Sequence, residues 1–126
     1  DPALLPDGES ERLVDRRLAT LAATVALRRH ARPAESGAVR YPGKDLRNVR
    51  LVVGSGGVLR HSPPEVAEAL VREAIGDTAG GWRLPERAAV AVDVRYVLAA
   101  AGLLRDEHPH AALALVRTSL GVDALS

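Results

Sequence analysis

Three glycines and a serine follow a short apolar run, at a position suited to binding a phosphate group. The turn consists of Gly54, Ser55, Gly56 and Gly57, and it comes directly after residues 49–53, a run rich in β-branched valine. Glycine has no Cβ and accepts positive φ, so the backbone can curl and approach a ligand closely. Successive N–H groups in such a turn can form a concavity that binds anions. This turn is therefore the strongest candidate in the chain for a site that binds a phosphate-bearing ligand.

Two common phosphate-binding patterns do not fit this turn. The dinucleotide fingerprint G-x-G-x-x-G requires a third glycine at the position where Leu59 stands. The Walker A pattern requires Gly-Lys-Ser/Thr at its end, which the sequence lacks. The first mismatch argues against a dinucleotide-dependent oxidoreductase. The alternative to a phosphate site is that the turn has only a structural role.

Three further residues could contribute to a ligand site. Lys44 precedes the apolar run and could bind a phosphate, or it could be a solvated charge in a loop. Asp93 and Tyr96 could bind a ribose or a metal, although Asp93 is also well placed to cap a helix. Metal and nucleophile patterns are weak elsewhere, because no histidine has the spacing of H-E-x-x-H and no serine has an obvious His-Asp partner. Trp82 could stack on a base, but packing over an apolar edge is favoured.

The first half of the chain predicts a helix, a loop, a strand and a second helix. Residues 9–29 have a helical pattern, with an apolar face that consists of Val14, Leu18, Leu21 and Val25. Residues 31–48 are polar, contain proline and glycine, and are interpreted as a long loop. Residues 49–53 predict a buried strand. Ser62, Pro63 and Glu65 predict a capping box at the start of a helix that ends near Gly76.

The second half repeats the order of strand and helix. Residues 77–87 predict a loop, residues 88–92 a second strand, and Asp93 the cap of a helix over residues 94–104. A last helix begins at His108-Pro109 and ends before Gly121. The fold class is therefore predicted as α/β, helix-rich, with a small sheet of two or three strands.

Composition limits the function classes. The chain has 126 residues, 47% of them hydrophobic, and suits one domain over residues 1–126. Its formal charge of +1 and its 2% aromatic content do not fit a nucleic-acid-binding protein, and no apolar run is long enough for a membrane span. Cysteine is absent, which fits a reducing compartment, so we expect a cytoplasmic protein. Methionine is absent too, so we expect a piece of a longer protein.

Several motifs together resemble one family. They are Gly-Lys-Asp-Leu-Arg at 43–47, the strand and glycine turn at 49–59, Arg-Leu-Pro at 83–85, the segment 92–104, and His-Pro with Ala-Ala-Leu at 108–113. In this order they resemble the glutamate (methylaspartate) mutase accessory proteins, the MutL family, which is distinct from the mismatch-repair protein of the same name. The resemblance covers residues 43–120 and extends more loosely through the first helix.

The resemblance implies the C-terminal portion of an actin-like (ribonuclease H-like) ATPase domain. In that superfamily a Gly-Gly turn after a strand contacts the adenosine and phosphates of ATP. The resemblance thus implies that Gly54, Ser55, Gly56 and Gly57, with Lys44 nearby, bind ATP or ADP. It also implies a chaperone-like, reactivating role for an adenosylcobalamin-dependent mutase, whose subunit would be the partner.

The sequence departs from the superfamily in one respect. The Asp-x-Gly loops that hold Mg²⁺ in such ATPases are absent, so Mg²⁺ would come from parts outside this chain, and the chain alone is predicted to be inactive. The alternative from another class is a non-catalytic helical interaction module with a structural glycine turn. Unpaired strand edges could also pair with those of a second copy, so a homodimer is a further alternative.

Overall fold

The computed structural model describes residues 8–32, 34–36, 38–41 and 43–121. The chain forms two compact units. Unit 1 consists of Asp1–Arg50 and Ala69–Ala88, and unit 2 consists of Leu51–Glu68 and Ala89–Ser126. The elements in chain order are α1 (Glu9–Ala31), β1 (Ala34–Ser36), β2 (Val39–Tyr41), β3 (Leu51–Gly54), α2 (Gly57–Arg60), α3 (Pro64–Gly76), β4 (Ala89–Val92), α4 (Val97–Leu104) and α5 (Pro109–Leu120). The predicted α/β class is confirmed, whereas a single domain over residues 1–126 stays a prediction.

Helix α1 dominates unit 1 and follows the predicted bounds closely. It carries Glu9 and Glu11 in its first turn and Arg28, Arg29 and His30 in its last. These charges complement the helix dipole, which is positive at the N-terminus and negative at the C-terminus. Two ion pairs join α1 to the end of α3 and the residue beyond it: Arg17 with Glu73 at 2.9 Å, and Arg28 with Asp77.

The apolar face of α1 is exposed. Val14 and Leu18 are 57% and 59% exposed, and Leu21 and Val25 are also exposed. The buried residues of the helix are instead Thr20, Thr24 and Ala31. Thr20 tolerates burial because its hydroxyl donates to the carbonyl oxygen of Arg16, at 3.1 Å. Unit 1 therefore buries a face of small residues and leaves the more apolar stripe outward, which is opposite to the usual orientation of an amphipathic helix.

A short hairpin lies in the region that the sequence predicted as the loop 31–48. β1 and β2 pair in antiparallel register, with Ala34 opposite Tyr41 and Ser36 opposite Val39. Strands of three residues are too short to give a detectable alternation of apolar and polar residues. Beyond the hairpin, the N–H of Lys44 donates to the oxygen of His30, and that of Leu46 donates to the oxygen of Arg83. These bonds hold the segment against other parts of unit 1.

A two-stranded parallel sheet forms the centre of unit 2. β3 and β4 pair with Leu51 opposite Ala89 and Gly54 opposite Val92. The predicted strands are confirmed with small shifts, but the first was expected to be buried and its residues before Gly54 are half-buried. A sheet with two strands has an open edge on each, so its backbone is less enclosed than that of a central strand.

Helices complete the units. α4 and α5 pack against each other in unit 2, where Ala101 and Ala112 are buried and allow a close approach. Helix α3 buries Ala67, Val71 and Ala74. Gly121 ends α5 in the left-handed conformation, as predicted. None of the helices in the described part of the chain has the length and apolar character that a membrane span requires.

Gly43 permits the contact between the end of α1 and the segment that follows the hairpin. A Cβ at Gly43 would lie 2.1 Å from the carbonyl oxygen of Ala31, which is part of the backbone and cannot rotate away. We expect Gly43→Ala to lower the free energy of unfolding by about 1–3 kcal/mol, as overpacking typically does. Urea denaturation followed by circular dichroism measures this change.

Gly102→Ala is the matched control, because a Cβ there meets nothing within 4 Å and the residue lies inside α4. Alanine is the better helix former, so this control should be neutral or stabilising by up to about 1 kcal/mol. Equal stability of the Gly43→Ala variant and the unsubstituted chain would contradict the described packing.

Candidate functional site

The glycine turn lies at the carboxyl end of β3. Gly54 is the last residue of the strand and is buried. Gly56 has φ 130° and ψ 164°, a region of the backbone map that is essentially restricted to glycine. Helix α2 begins at the next residue, in a segment for which the sequence predicts no regular structure. A glycine is therefore required at position 56 by the conformation of the turn itself.

The predicted capping box is wrong. The hydroxyl of Ser62 donates to the carbonyl oxygen of Val58 at 2.7 Å, so Ser62 closes α2 rather than capping α3. α3 begins at Pro64, and the carbonyl oxygen of Pro63 accepts the N–H groups of Val66 and Ala67. The sequence pattern was misleading because the hydroxyl of Ser62 bonds to a carbonyl oxygen of the short helix α2. Pro64, and not Pro63, occupies the first helical position of α3.

The surface around the turn is open. A Cβ at Gly56 or at Gly57 would meet no atom of the described structure within 4 Å. Gly57 also has no positive φ, since it is the first residue of α2. Neither crowding nor backbone conformation therefore accounts for a glycine at position 57, and its N–H belongs to a helical first turn that has no intrahelical acceptor.

The ends of the two parallel strands are joined at Asp93. Its N–H donates to the carbonyl oxygen of Gly54 at 2.8 Å. Its carboxylate is 1% exposed and accepts the N–H groups of Val97 at 2.8 Å and Leu98 at 3.1 Å. The predicted capping role of Asp93 is confirmed, although α4 begins at Val97 and not at residue 94. With both carboxylate oxygens used in this way, Asp93 serves to hold the site together.

Tyr96 and Arg60 form a stacked pair at the same edge of the sheet. Tyr96 precedes α4 in the left-handed conformation, with φ 52°, which is uncommon for a residue other than glycine. The guanidinium carbon of Arg60, at the end of α2, lies 4.6 Å from the centre of the Tyr96 ring. This distance is that of a cation–π interaction. The pair bridges the segment after β3 and the segment after β4.

Sequence reasoning identified Tyr96 as a candidate but missed Arg60. One signal could have found it, because residues that follow neighbouring parallel strands meet at the carboxyl edge of the sheet. For two neighbouring parallel strands, this rule predicts that the residues after Gly57 lie beside those after Asp93. The short helix α2 was needed to direct Arg60, and a single helical turn gives no periodic signal.

Lys44 lies in unit 1, whereas the glycine turn lies in unit 2. It is exposed. Its neighbours Asp45 and Arg47 form an ion pair at 2.6 Å. The side-chain hydrogen bond from Arg47 is the main cause that lowers the pKa of Asp45 to about 2. A contribution of Lys44 to ligand binding stays a prediction.

The other candidates are a metal site and Trp82. The described residues contain no group of three or more acidic, histidine or cysteine side chains that could hold a metal ion. Trp82 packs over its own loop, because a Cβ at Gly80 would lie 2.3 Å from its indole nitrogen. This contact lies within the loop itself, so the predicted packing over an apolar edge stays a prediction.

Comparisons with known proteins establish the family. A model of the MutL protein family matches residues 1–120. The chain belongs to the MutL family. Protein MutL of Clostridium tetanomorphum is 39% identical over 74 residues, which cover 52% of this chain and 16% of that protein. The chain thus matches a small part of the length of this relative. No solved structure is significantly similar to the chain. The family resemblance inferred from the motifs at 43–120 is confirmed.

The carboxylate of Asp93 should be the main anchor of α4. We expect Asp93→Ala to lower the free energy of unfolding by about 1–2 kcal/mol, because the buried N–H of Val97 and the partly buried N–H of Leu98 lose their acceptor. Asp93→Asn should cost less, since it keeps one acceptor oxygen. Thermal denaturation measures both. Asp106→Ala removes a carboxylate that is 81% exposed and serves as the control with little change. Equal losses at the two positions would refute the anchoring role.

Proposed function

We propose that this chain forms the adenosine side of an ATP or ADP site in an accessory factor. The factor would reactivate an adenosylcobalamin-dependent mutase, such as glutamate mutase, in the manner of an ATP-driven chaperone. The geometry of unit 2 supports the nucleotide site, and membership in the MutL family supports the mutase partner.

The observation that carries the nucleotide site is the open glycine turn. Gly57 lacks a side chain although neither φ nor a neighbouring atom demands this. A ligand that approaches the backbone closely would supply the missing reason. The turn lies beyond the carboxyl end of a parallel strand, which is where ligands bind in open α/β sheets. The N–H groups at the start of α2 are donors suited to phosphate or ribose oxygens.

The stacked pair supplies a surface for the base. Arg60 follows the turn within one helical turn, and its N–H donates to the oxygen of Gly56 at 3.0 Å. A guanidinium plane and an aromatic ring both stack on flat π systems such as adenine. The pair also carries a positive charge next to the turn, and a nucleotide with phosphates is negatively charged. Base, ribose and phosphates would each find a suitable group at this edge of unit 2.

The same residues would make only part of an ATPase. Phosphoryl transfer requires Mg²⁺, a positioned water and several charged groups at once. The chain lacks Asp-x-Gly loops, and its described part has no candidate metal cluster. We therefore assign Mg²⁺ binding and hydrolysis to parts of a longer protein, in keeping with an actin-like ATPase whose adenosine side this chain contributes.

The partner is argued from membership in the MutL family and from the resemblance to the mutase accessory proteins. An adenosylcobalamin-dependent mutase subunit fits that role. The non-catalytic interaction module is the competing function, and exposed leucines on α4 and α5 favour it. Leu103 is 87% exposed and Leu113 is 55% exposed. The two functions differ in whether the glycine turn binds a nucleotide.

Gly56→Val tests the nucleotide site. Valine cannot adopt φ 130° without about 1–3 kcal/mol of strain, so the turn must rearrange. We expect the affinity for ATP and ADP to fall by about tenfold or more, which corresponds to about 1.4 kcal/mol. Isothermal titration of each nucleotide into a full-length MutL protein that contains this sequence measures the change.

Gly121→Val is the matched control. Gly121 also has positive φ, at 63°, but it caps α5 and lies away from the turn in the sequence. We expect Gly121→Val to lower the free energy of unfolding by an amount similar to Gly56→Val and to leave the affinity for ATP and ADP unchanged. Unchanged affinity in a folded Gly56→Val protein would refute the site and favour the interaction module.

The isolated chain should not hydrolyse ATP at a measurable rate, because the groups that hold Mg²⁺ and water are missing from it. A coupled assay for phosphate release, run with the purified 126-residue chain and Mg²⁺, checks this expectation. Magnesium-dependent turnover that Gly56→Val abolishes would contradict the division of the site between this chain and a further domain.

A further inference from the structure

Helix α4 is apolar on every side. Its residues, Val97 to Leu104, are valine, leucine, alanine and glycine, and none of them has a polar side chain. A helix of this composition is normally enclosed by other elements on all its faces. In this chain, however, α5 packs against α4 and only Val97 and Ala101 of the helix are buried.

The exposed part of α4 is wider than one neighbouring helix covers. At 3.6 residues per turn, the exposed residues extend from Leu98 through Leu103 to Leu104, over an arc of about 240°. Leu103 lies near the middle of this arc and is 87% exposed. The apolar stripe that a helix packs against a core is typically about 100° wide. At least two further elements are therefore needed to enclose α4.

The parallel sheet of the same unit has the same shortage of cover. β3 and β4 are almost entirely valine, alanine and leucine. In known proteins, parallel strands with such continuous apolar sequences are buried on both faces. Here every residue of β4 is half-buried, as are Leu51, Val52 and Val53 of β3. Unit 2 thus contains a helix and a sheet of the kind found in the interior of a larger domain.

The width and composition of the arc distinguish between the occupants that would cover it. A two-fold contact between copies sets α4 against its own counterpart, so it adds mainly one helix. A partner that binds and dissociates uses a surface about as polar as the rest of the protein, whereas the exposed arc of α4 has no polar side chain. Further chain of the same polypeptide remains in place and supplies several elements. The MutL relative has room for such chain, since the matched segment is 16% of its length.

From these observations we infer that α4 is enclosed, in a full-length MutL protein, by at least two elements from another part of the same polypeptide. These elements present aliphatic side chains to α4, because a charged group there would lose its hydration without gaining a partner. The small residues Ala99, Ala100 and Gly102 let their backbones approach closely, and Leu103 inserts between them. The inference is independent of the nucleotide site, and it gives the leucines of α4 a role inside the protein.

Leu103→Cys tests the enclosure in a full-length MutL protein that contains this sequence. N-ethylmaleimide modifies the introduced thiol, and mass spectrometry of the peptide that contains position 103 gives the rate. The rate in the native protein is divided by the rate in urea. We expect this ratio to be lower by about tenfold or more than at an exposed position, because a covered thiol reacts only when the structure opens locally.

Asp106→Cys is the exposed reference. The Asp106 side chain is 81% exposed, two residues beyond the end of α4. Without a cover, positions 103 and 106 should react equally fast, since Leu103 is 87% exposed in the chain itself. Modification at position 103 that is as fast as in urea would overturn the inference.

Leu98→Cys and Ala100→Cys test the number of covering elements. The two positions lie on opposite flanks of the arc, about 160° apart around the helix axis. Both thiols should be protected in the native protein. Protection on one flank alone would show that a single element suffices and would overturn the requirement for two.

Dilution and addition of the mutase identify the occupant. Protection at position 103 should be the same at every protein concentration and should not require the mutase. Protection that is lost on dilution would assign the cover to a second copy and would overturn the inference. Protection that arises only after the mutase is added would also overturn it, and would favour the interaction module.

Discussion

The arrangement of unit 2 depends on one buried carboxylate. Asp93 receives two N–H groups from the start of α4, and its own N–H reaches the last carbonyl of β3. A short parallel sheet of two strands is marginal by itself. This residue links the end of one strand to the other and to the next helix. Because the linkage is at the carboxyl edge, it also determines which side chains meet there.

The stacking of Arg60 on Tyr96 follows from that linkage. Tyr96 lies between Asp93 and the first residues of α4, in a left-handed conformation that the two carboxylate hydrogen bonds help to hold. On the other side, the glycine-specific conformation at Gly56 turns the chain into α2 and directs Arg60 back over the sheet edge. The site is thus assembled from two short segments, each fixed by a strong local constraint. Nucleotide binding at this edge would use groups that are already positioned.

The burial of side chains in unit 1 follows a different pattern. Its longest helix buries small residues and one hydrogen-bonded threonine, while its apolar stripe stays at the surface. The charges at the ends of the stripe are opposite in sign, as the helix dipole favours.

The sequence by itself determined the elements whose signals are local. The periodicity of α1, the β-branched run of β3, the glycine stop of α5 and the capping role of Asp93 all depend on residues close together in the chain, and each agreed with the structure. The order of the short motifs was also sufficient to identify the family. The predicted capping role of Ser62 was wrong because its hydroxyl can bond either to the end of α2 or to the start of α3. Which of these two hydrogen bonds forms depends on the geometry of both helices.

Tertiary structure alone decided which faces are buried and which distant residues meet. The apolar pattern of α1 specifies a stripe but not which face is buried, and here the buried face is a neighbouring one that carries Thr20, Thr24 and Ala31. The stacking of Arg60 on Tyr96 joins residues from segments that are separated by α3 and the loop after it, so no local pattern contains it. Burial and long-range contact depend on how elements pack, and the free energy of packing is shared among residues far apart in sequence.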